Sequence, residues 1–181
     1  MDRTGVVRLY HGSDVTIRRP DLNHNTGFAD LGKGFYLTDD YEAAESRARA
    51  RARRQGSARG VVSTYDFDEG RVPWVVVGSA KDQLTELGKT RFGLRFAPTT
   101  EGLAAWVRYI GQCRKGVTEV PGVGRPAAVR AWIATEEVEM ACAGYVSPED
   151  VAAAIDPAEL VVQYCILDQS LIEDALTCCN K

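Results

Sequence analysis

Several large classes of protein are excluded by what this chain does not have. No apolar run approaches the roughly twenty residues that a membrane-spanning helix needs. The opening stretch, MDRTGVVRLYHGS, has no apolar signal-peptide core, so the expectation is a cytoplasmic protein with no membrane partner. Cysteine is sparse and odd in number. Cys113, Cys142, Cys165, Cys178 and Cys179 show no framework spacing, and no C-x-x-C pairs with a histidine, so neither a disulfide scaffold nor a zinc site is expected, and no metal is assigned. Adjacent Cys178 and Cys179 read as reduced thiols on a C-terminal turn. A formal net charge of −3 excludes a globally basic nucleic-acid binder but leaves local patches open. There is no internal repeat, and no low-complexity segment outside one Arg/Ala run.

What is present suits a single domain over residues 1–181, with 45% hydrophobic residues to build a core. Residues 6–10 (VVRLY) predict a strand that ends in a turn at His11-Gly12-Ser13. Residues 14–30 form a long polar loop, hence a candidate binding loop. Residues 34–38 predict a second strand. Thr38 or Asp39 then caps a helix with Asp39, Asp40, Glu42 and Glu45 early and Arg47, Arg49, Arg51, Arg53 and Arg54 late, stopped by Gly56. Acids first and arginines last complement the helix dipole. Strands are expected at 61–68, 72–77, 129–133 and 160–167, with helices at 103–113, 136–143, from Ser147-Pro148 to before Pro157, and at 170–176. A short helix is expected around 82–87, and residues 118–126 read as a loop. Strands mixed irregularly with helices indicate an α+β fold.

Three segments could carry chemistry. In Tyr10-His11-Gly12-Ser13, the glycine would let a ligand reach the backbone, and His11 could donate to a ribose hydroxyl; the alternative is a turn with a backbone-bonded histidine. In Gly32-Lys33-Gly34-Phe35-Tyr36-Leu37-Thr38, two glycines precede an aromatic strand that would pass close to something flat; the alternative is a core aromatic entered through a tight turn. Gln163, within Val162-Gln163-Tyr164-Cys165, needs either a buried partner or a cleft; the alternative is one edge-facing residue.

Taken together and in this order, the segments resemble the ADP-ribosyltransferase superfamily. YHGS is similar to the histidine–glycine motif on the first core strand of its poly-ADP-ribose-polymerase and diphtheria-toxin branch. LGKGFYLTDD resembles the glycine–aromatic–tyrosine stretch of that branch, and LVVQYCILDQSLI looks like the strand that carries its catalytic glutamate. The closer resemblance is to a bacterial family of small proteins assigned to the superfamily, and it covers nearly the whole chain, including the tryptophan helix at 104–114.

The resemblance implies a split, mostly antiparallel β-core with flanking helices, gripping NAD as substrate without a metal. It implies catalytic roles for Gln163, His11 and Tyr36. It implies NAD contacts for Tyr10, His11, Gly12, Ser13, Gly34, Tyr36, Tyr41 and Arg47, with His11 on the adenosine-side ribose and the Gly12 backbone on the nicotinamide amide. Two residues depart from the pattern. Gln163 stands where a glutamate is usual and cannot act as a base. Arg47 stands where an aromatic residue is usual, and it would stack poorly on cationic nicotinamide, so it could bind the pyrophosphate while Tyr41 or Tyr36 stacks. Glu136, Glu137, Glu139 and Asp168 are reserve acids.

The implied function is an NAD-dependent mono-ADP-ribosyltransferase. It would be a bacterial toxin, cytoplasmic or injected as an effector, that modifies an intracellular protein or nucleic acid and is held by a cognate antitoxin or immunity protein. The alternatives are a catalytically silent module binding NAD or ADP-ribose, and an NAD glycohydrolase. Nucleic-acid modification draws on the arginine run alone; a solvated helix end is the other reading of that run.

Overall fold

Along Val61–Asp68, every second side chain from Ser63 to Phe67 is buried, the period-2 signature of a strand with one face turned to a core. The computed structural model describes residues 5–24, 29–78 and 91–180. Among these, eight strands form one sheet: β1 (Val6–Ser13), β2 (Phe35–Thr38), β3 (Val61–Asp68), β4 (Trp74–Val77), β5 (Gly93–Phe96), β6 (Ala128–Trp132), β7 (Val162–Ile166) and β8 (Leu176–Cys178). Five α-helices accompany them: α1 (Tyr41–Gln55), α2 (Thr100–Cys113), α3 (Glu136–Cys142), α4 (Pro148–Ala154) and α5 (Gln169–Ala175). The spatial order is β4-β5-β6-β7-β2-β1-β3-β8. Only β4–β5 and β5–β6 pair in parallel; the remaining neighbours are antiparallel. The fold is therefore α+β with a mostly antiparallel sheet.

The sheet has a core on each face. Tyr164 and Ile166 of β7 join Leu9, Phe35, Phe67 and the α5 residues Leu171 and Ile172. Cys165, between them, joins Trp106 and Ile110 of α2, Val138 of α3 and Val151 of α4. Helix α1 lies along β1 and β3 and buries only alanines, Ala44, Ala48 and Ala52. That small-residue face lets the helix backbone come very close to the sheet.

Several boundaries differ from the sequence expectations. β1 continues through His11, Gly12 and Ser13, paired with Ser63, Val62 and Val61, so there is no turn at the histidine. Helix α1 starts one or two residues later than expected. Asp40 is the cap, accepting a hydrogen bond from the Ala43 N–H at 2.9 Å, while Thr38 stays on β2, its hydroxyl donating to the Val162 carbonyl at 2.7 Å and accepting from the Asp40 N–H at 3.1 Å. Of the four acids only Glu42 sits in the first turn, while Arg53 and Arg54 occupy the last, and Gly56 closes the helix at φ 68°. Strands β5 and β8 were not expected; β8 pairs with β3 and places Cys178 on a sheet edge, where a turn was anticipated. The helix anticipated at 82–87 lies outside the described residues. Among the described residues no helix is long and apolar enough to cross a membrane.

Candidate functional site

The sheet parts between its fifth and sixth strands, β2 and β1. β1 and β2 share one register pair, Tyr10 with Thr38, after which β1 follows β3 to Ser13 and β2 stays on β7. The direction of the backbone groups at this fork follows from the neighbouring strand. The Thr64 C=O accepts from Cys179 N–H at 2.8 Å, and its N–H donates to Asn180 Oδ1 at 2.6 Å, so both point away from β1. Tyr10 faces Thr64 and so turns its own N–H and C=O toward β2; two residues on, Gly12 does the same. Continued register would bring Tyr36 opposite Gly12, but the strands have separated there. Gly12 therefore presents one donor and one acceptor to the gap. The Tyr36 carbonyl, on the other side, accepts from His11 Nδ1 at 2.7 Å.

Two lobes open from this gap and share His11, Gly12 and Tyr36. The smaller, about 40 Å³, is bounded by Tyr10, Thr38, Ala44, Arg47, Ile133 and Gln163. The larger, about 350 Å³, is bounded by Ser13, Ile17, Arg19, Asp21, Phe35 and Arg51, among others. Its wall from the 14–24 loop is pinned from below: Ile17 N–H donates to Ser63 Oγ at 3.0 Å, and Leu22 N–H to Gln169 Oε1 at 3.0 Å.

The site residues differ in what they have left to offer. A carbonyl can only accept, so the His11 Nδ1 carries the proton. The ring stacks on Phe35 with centroids 4.5 Å apart. Burial pushes the imidazole pKa below its ordinary value, and Arg47 and Arg51 lower it further. His11 is thus neutral near pH 7 and its Nε2 is an acceptor, which reverses the donor role expected from sequence. Because the folded pKa is depressed, the unfolded chain takes up the proton first as pH falls. Stability is then full above about pH 6.5 and declines below it. In urea midpoints taken at pH 7.5 and 5.5, His11→Gln is expected to lose less than the wild type; equal losses would refute the neutral ring.

The Tyr36 hydroxyl donates to the Gly32 carbonyl at 2.7 Å and accepts from Leu31 N–H at 3.0 Å. Burial raises its pKa, so the phenol stays protonated and ties down the tight turn at Gly32, where φ is +94°. What it gives the cleft is its ring. Gln163, 2% exposed, donates from Nε2 to the Trp132 carbonyl at 2.9 Å, which fixes its amide and leaves Oε1 as the acceptor. Gly34 lacks a side chain because a Cβ there would lie 2.3 Å from Cys165 Sγ. Ser13 is buried and donates to Asp14 at 3.2 Å.

Tyr41 does not line either lobe; it is 51% exposed and meets Tyr10 edge-on at 5.2 Å. Two of the reserve acids are engaged elsewhere. Glu139 binds Arg114, and Asp168 caps α5. Among the described residues no carboxylate borders the smaller lobe. Sequence reading missed Arg19 and Arg51 as lining residues, although the loop that holds Arg19 had been marked as a binding loop.

A family profile described as "Protein of unknown function (DUF3990)" matches residues 7–177. No curated protein and no solved structure matches the chain. With nearly its full length matched, the chain belongs to the DUF3990 family.

Proposed function

We propose that the protein is an NAD-dependent ADP-ribosyltransferase acting on an intracellular macromolecule, a toxin chemistry that calls for a cognate antitoxin. One observation carries the reading. The parted strands turn the Gly12 N–H and C=O, a complement to a carboxamide, into a lobe floored by Gln163. The nicotinamide amide pairs with Gly12, and the ring lies along Tyr36. The His11 Nε2 accepts a ribose hydroxyl, and Arg19 and Arg51 bracket the pyrophosphate in the larger lobe. When the bond from C1′ to the nicotinamide nitrogen breaks, nicotinamide leaves with the bonding pair. Gln163 takes no proton; its fixed Oε1 dipole orients the ribose.

A second reading, a silent NAD-binding module, is favoured by a different observation. The smaller lobe holds little more than one water, and Arg47 rather than a carboxylate borders it. Nicotinamide enters only if the exposed Arg47 side chain swings aside. One assay separates the readings: release of label from nicotinamide-labelled NAD, with and without cell lysate. Release that needs lysate and falls about 100-fold or more in Gln163→Ala is the expected result. Equal release without lysate identifies a glycohydrolase. Binding of NAD with no release under any condition identifies the silent module.

A further inference from the structure

The turn behind the Tyr36 wall of the cleft is held by residues that line neither lobe. Gly32 N–H donates to the Ala29 carbonyl at 3.0 Å and closes a tight turn over Asp30 and Leu31. Leu31 is buried in the same core as Trp106 and Ile110 of α2. Its N–H and the Gly32 carbonyl are the two partners of the Tyr36 hydroxyl. Asp30, beside it, accepts from Arg114 Nη2 at 2.7 Å. Arg114 directly follows α2 and grips Glu139 of α3 with both Nη1 and Nη2, each at 2.5 Å. Nη2 thus serves the two carboxylates at once. Gly32 meets the same end of α2 from another side: a Cβ there would lie 2.6 Å from Thr118 Cγ2, and the Thr118 carbonyl accepts from Tyr109 of α2 at 3.0 Å. A continuous path therefore runs from α3 through Arg114 and the turn to Tyr36, whose carbonyl accepts from His11 Nδ1.

We infer that Arg114 is a positioning residue for the cleft: it clamps the Asp30 turn to the ends of α2 and α3 and so sets where the Tyr36 ring and carbonyl stand. A planar guanidinium suits this task, because its fork fixes direction as well as distance. Without the cation, Asp30 and Glu139 would repel across the space it fills, and the turn would move away from α3. Tyr36 would follow, since its hydroxyl is bonded to the turn at two points, and its carbonyl would release the His11 ring. That this placement matters to the reaction rests on the transferase reading. That it governs the His11 ring does not.

The test reads the His11 ring by nitrogen-15 NMR of the full chain, without NAD, at about one pH unit above the ordinary histidine pKa. His11 and His24 are the only histidines, so a His24→Gln background leaves one ring to observe. While the Tyr36 carbonyl holds it, that ring is a single tautomer protonated on Nδ1. Arg114→Ala and Asp30→Ala are each expected to lose the single tautomer and give a mixture of the two, in protein that urea melts show to be folded. Asp30→Ala leaves the Arg114–Glu139 pair intact, so it decides the matter even where Arg114→Ala does not fold. Glu139→Gln keeps the Asp30 contact and is expected to keep the single tautomer. A wild-type ring in folded Asp30→Ala, or mixing as complete in Glu139→Gln, would overturn the inference. Nicotinamide release reports on the transferase reading separately. There Asp30→Ala is expected to lower kcat about tenfold or more while KM changes less than about threefold. No release from any of the proteins leaves the clamp standing on the ring alone, and release that Asp30→Ala leaves unchanged overturns its part in the reaction.

Discussion

Gly12→Ala is expected to lower the stability of the fold by more than about 3 kcal/mol, with a fall in Tm of roughly 6–12 °C. The reason lies in how α1 is seated. A Cβ built on Gly12 would stand 1.9 Å from the Ala44 carbonyl oxygen and 2.7 Å from the Ala48 nitrogen. Both are helix backbone, which cannot rotate away as a long side chain can. The helix would have to lift, uncovering Ala44 and Ala48, now 0% and 1% exposed. Gly60 is the second half of the same seat, since its Cβ would lie 2.4 Å from the Ala48 carbonyl carbon. Gly116 supplies the control: its φ of +83° strains an alanine, but nothing stands within 4 Å, so about 1 kcal/mol is expected there. Thermal and urea melts of the three alanine variants check the account. A Gly12→Ala loss no larger than that of Gly116→Ala would mean that the helix is not seated on the glycines.

This contact also shows where the sequence was legible and where it was not. A glycine beside His11 signalled a close approach to the backbone, and an approach exists. The approaching body is the side of α1, placed by an alanine spacing whose partner strand cannot be read from local pattern. Strands of alternating or strongly apolar character, such as Val61–Asp68, could be found to the residue. β5 could not: Gly93-Leu94-Arg95-Phe96 is short, is interrupted by a charge, and exists because it pairs with β4 and β6. The cap of α1 reads from sequence as Thr38 or Asp39, since both residue types can cap, and it is Asp40. The long-range pairing of Thr38 with Gln163 on β7 keeps it in the strand, so the helix begins later. The three motif segments were identifiable singly, but the fork that joins them depends on one long-range register pair. The lining roles of Arg19 and Arg51 depend on how a loop and a helix flank meet, which carries no sequence period.

Gln163→Glu is expected to make stability depend on pH in a way the wild type's does not. The side chain is 2% exposed, and its Nε2 proton is held by the Trp132 carbonyl. A carboxylate in its place would set an anionic oxygen against that carbonyl oxygen, with both desolvated. Burial and the facing acceptor both favour the protonated acid, raising the folded pKa from about 4.3 to roughly 7. The sign follows from linkage. A group whose folded pKa is raised contributes its full stability below the unfolded pKa and loses it as pH rises through the folded one. Below about pH 4 the variant should match wild type, because the protonated acid can still donate to Trp132; by pH 8 it should be weaker by about 3–4 kcal/mol. Urea melts across this range decide it. A constant difference would show that the carboxylate reaches water through the smaller lobe, so that Gln163 is not its sealed floor. A rising difference would explain why a neutral amide suits this position: it holds Trp132 at every pH, and it does so without setting a buried negative charge against the Trp132 carbonyl.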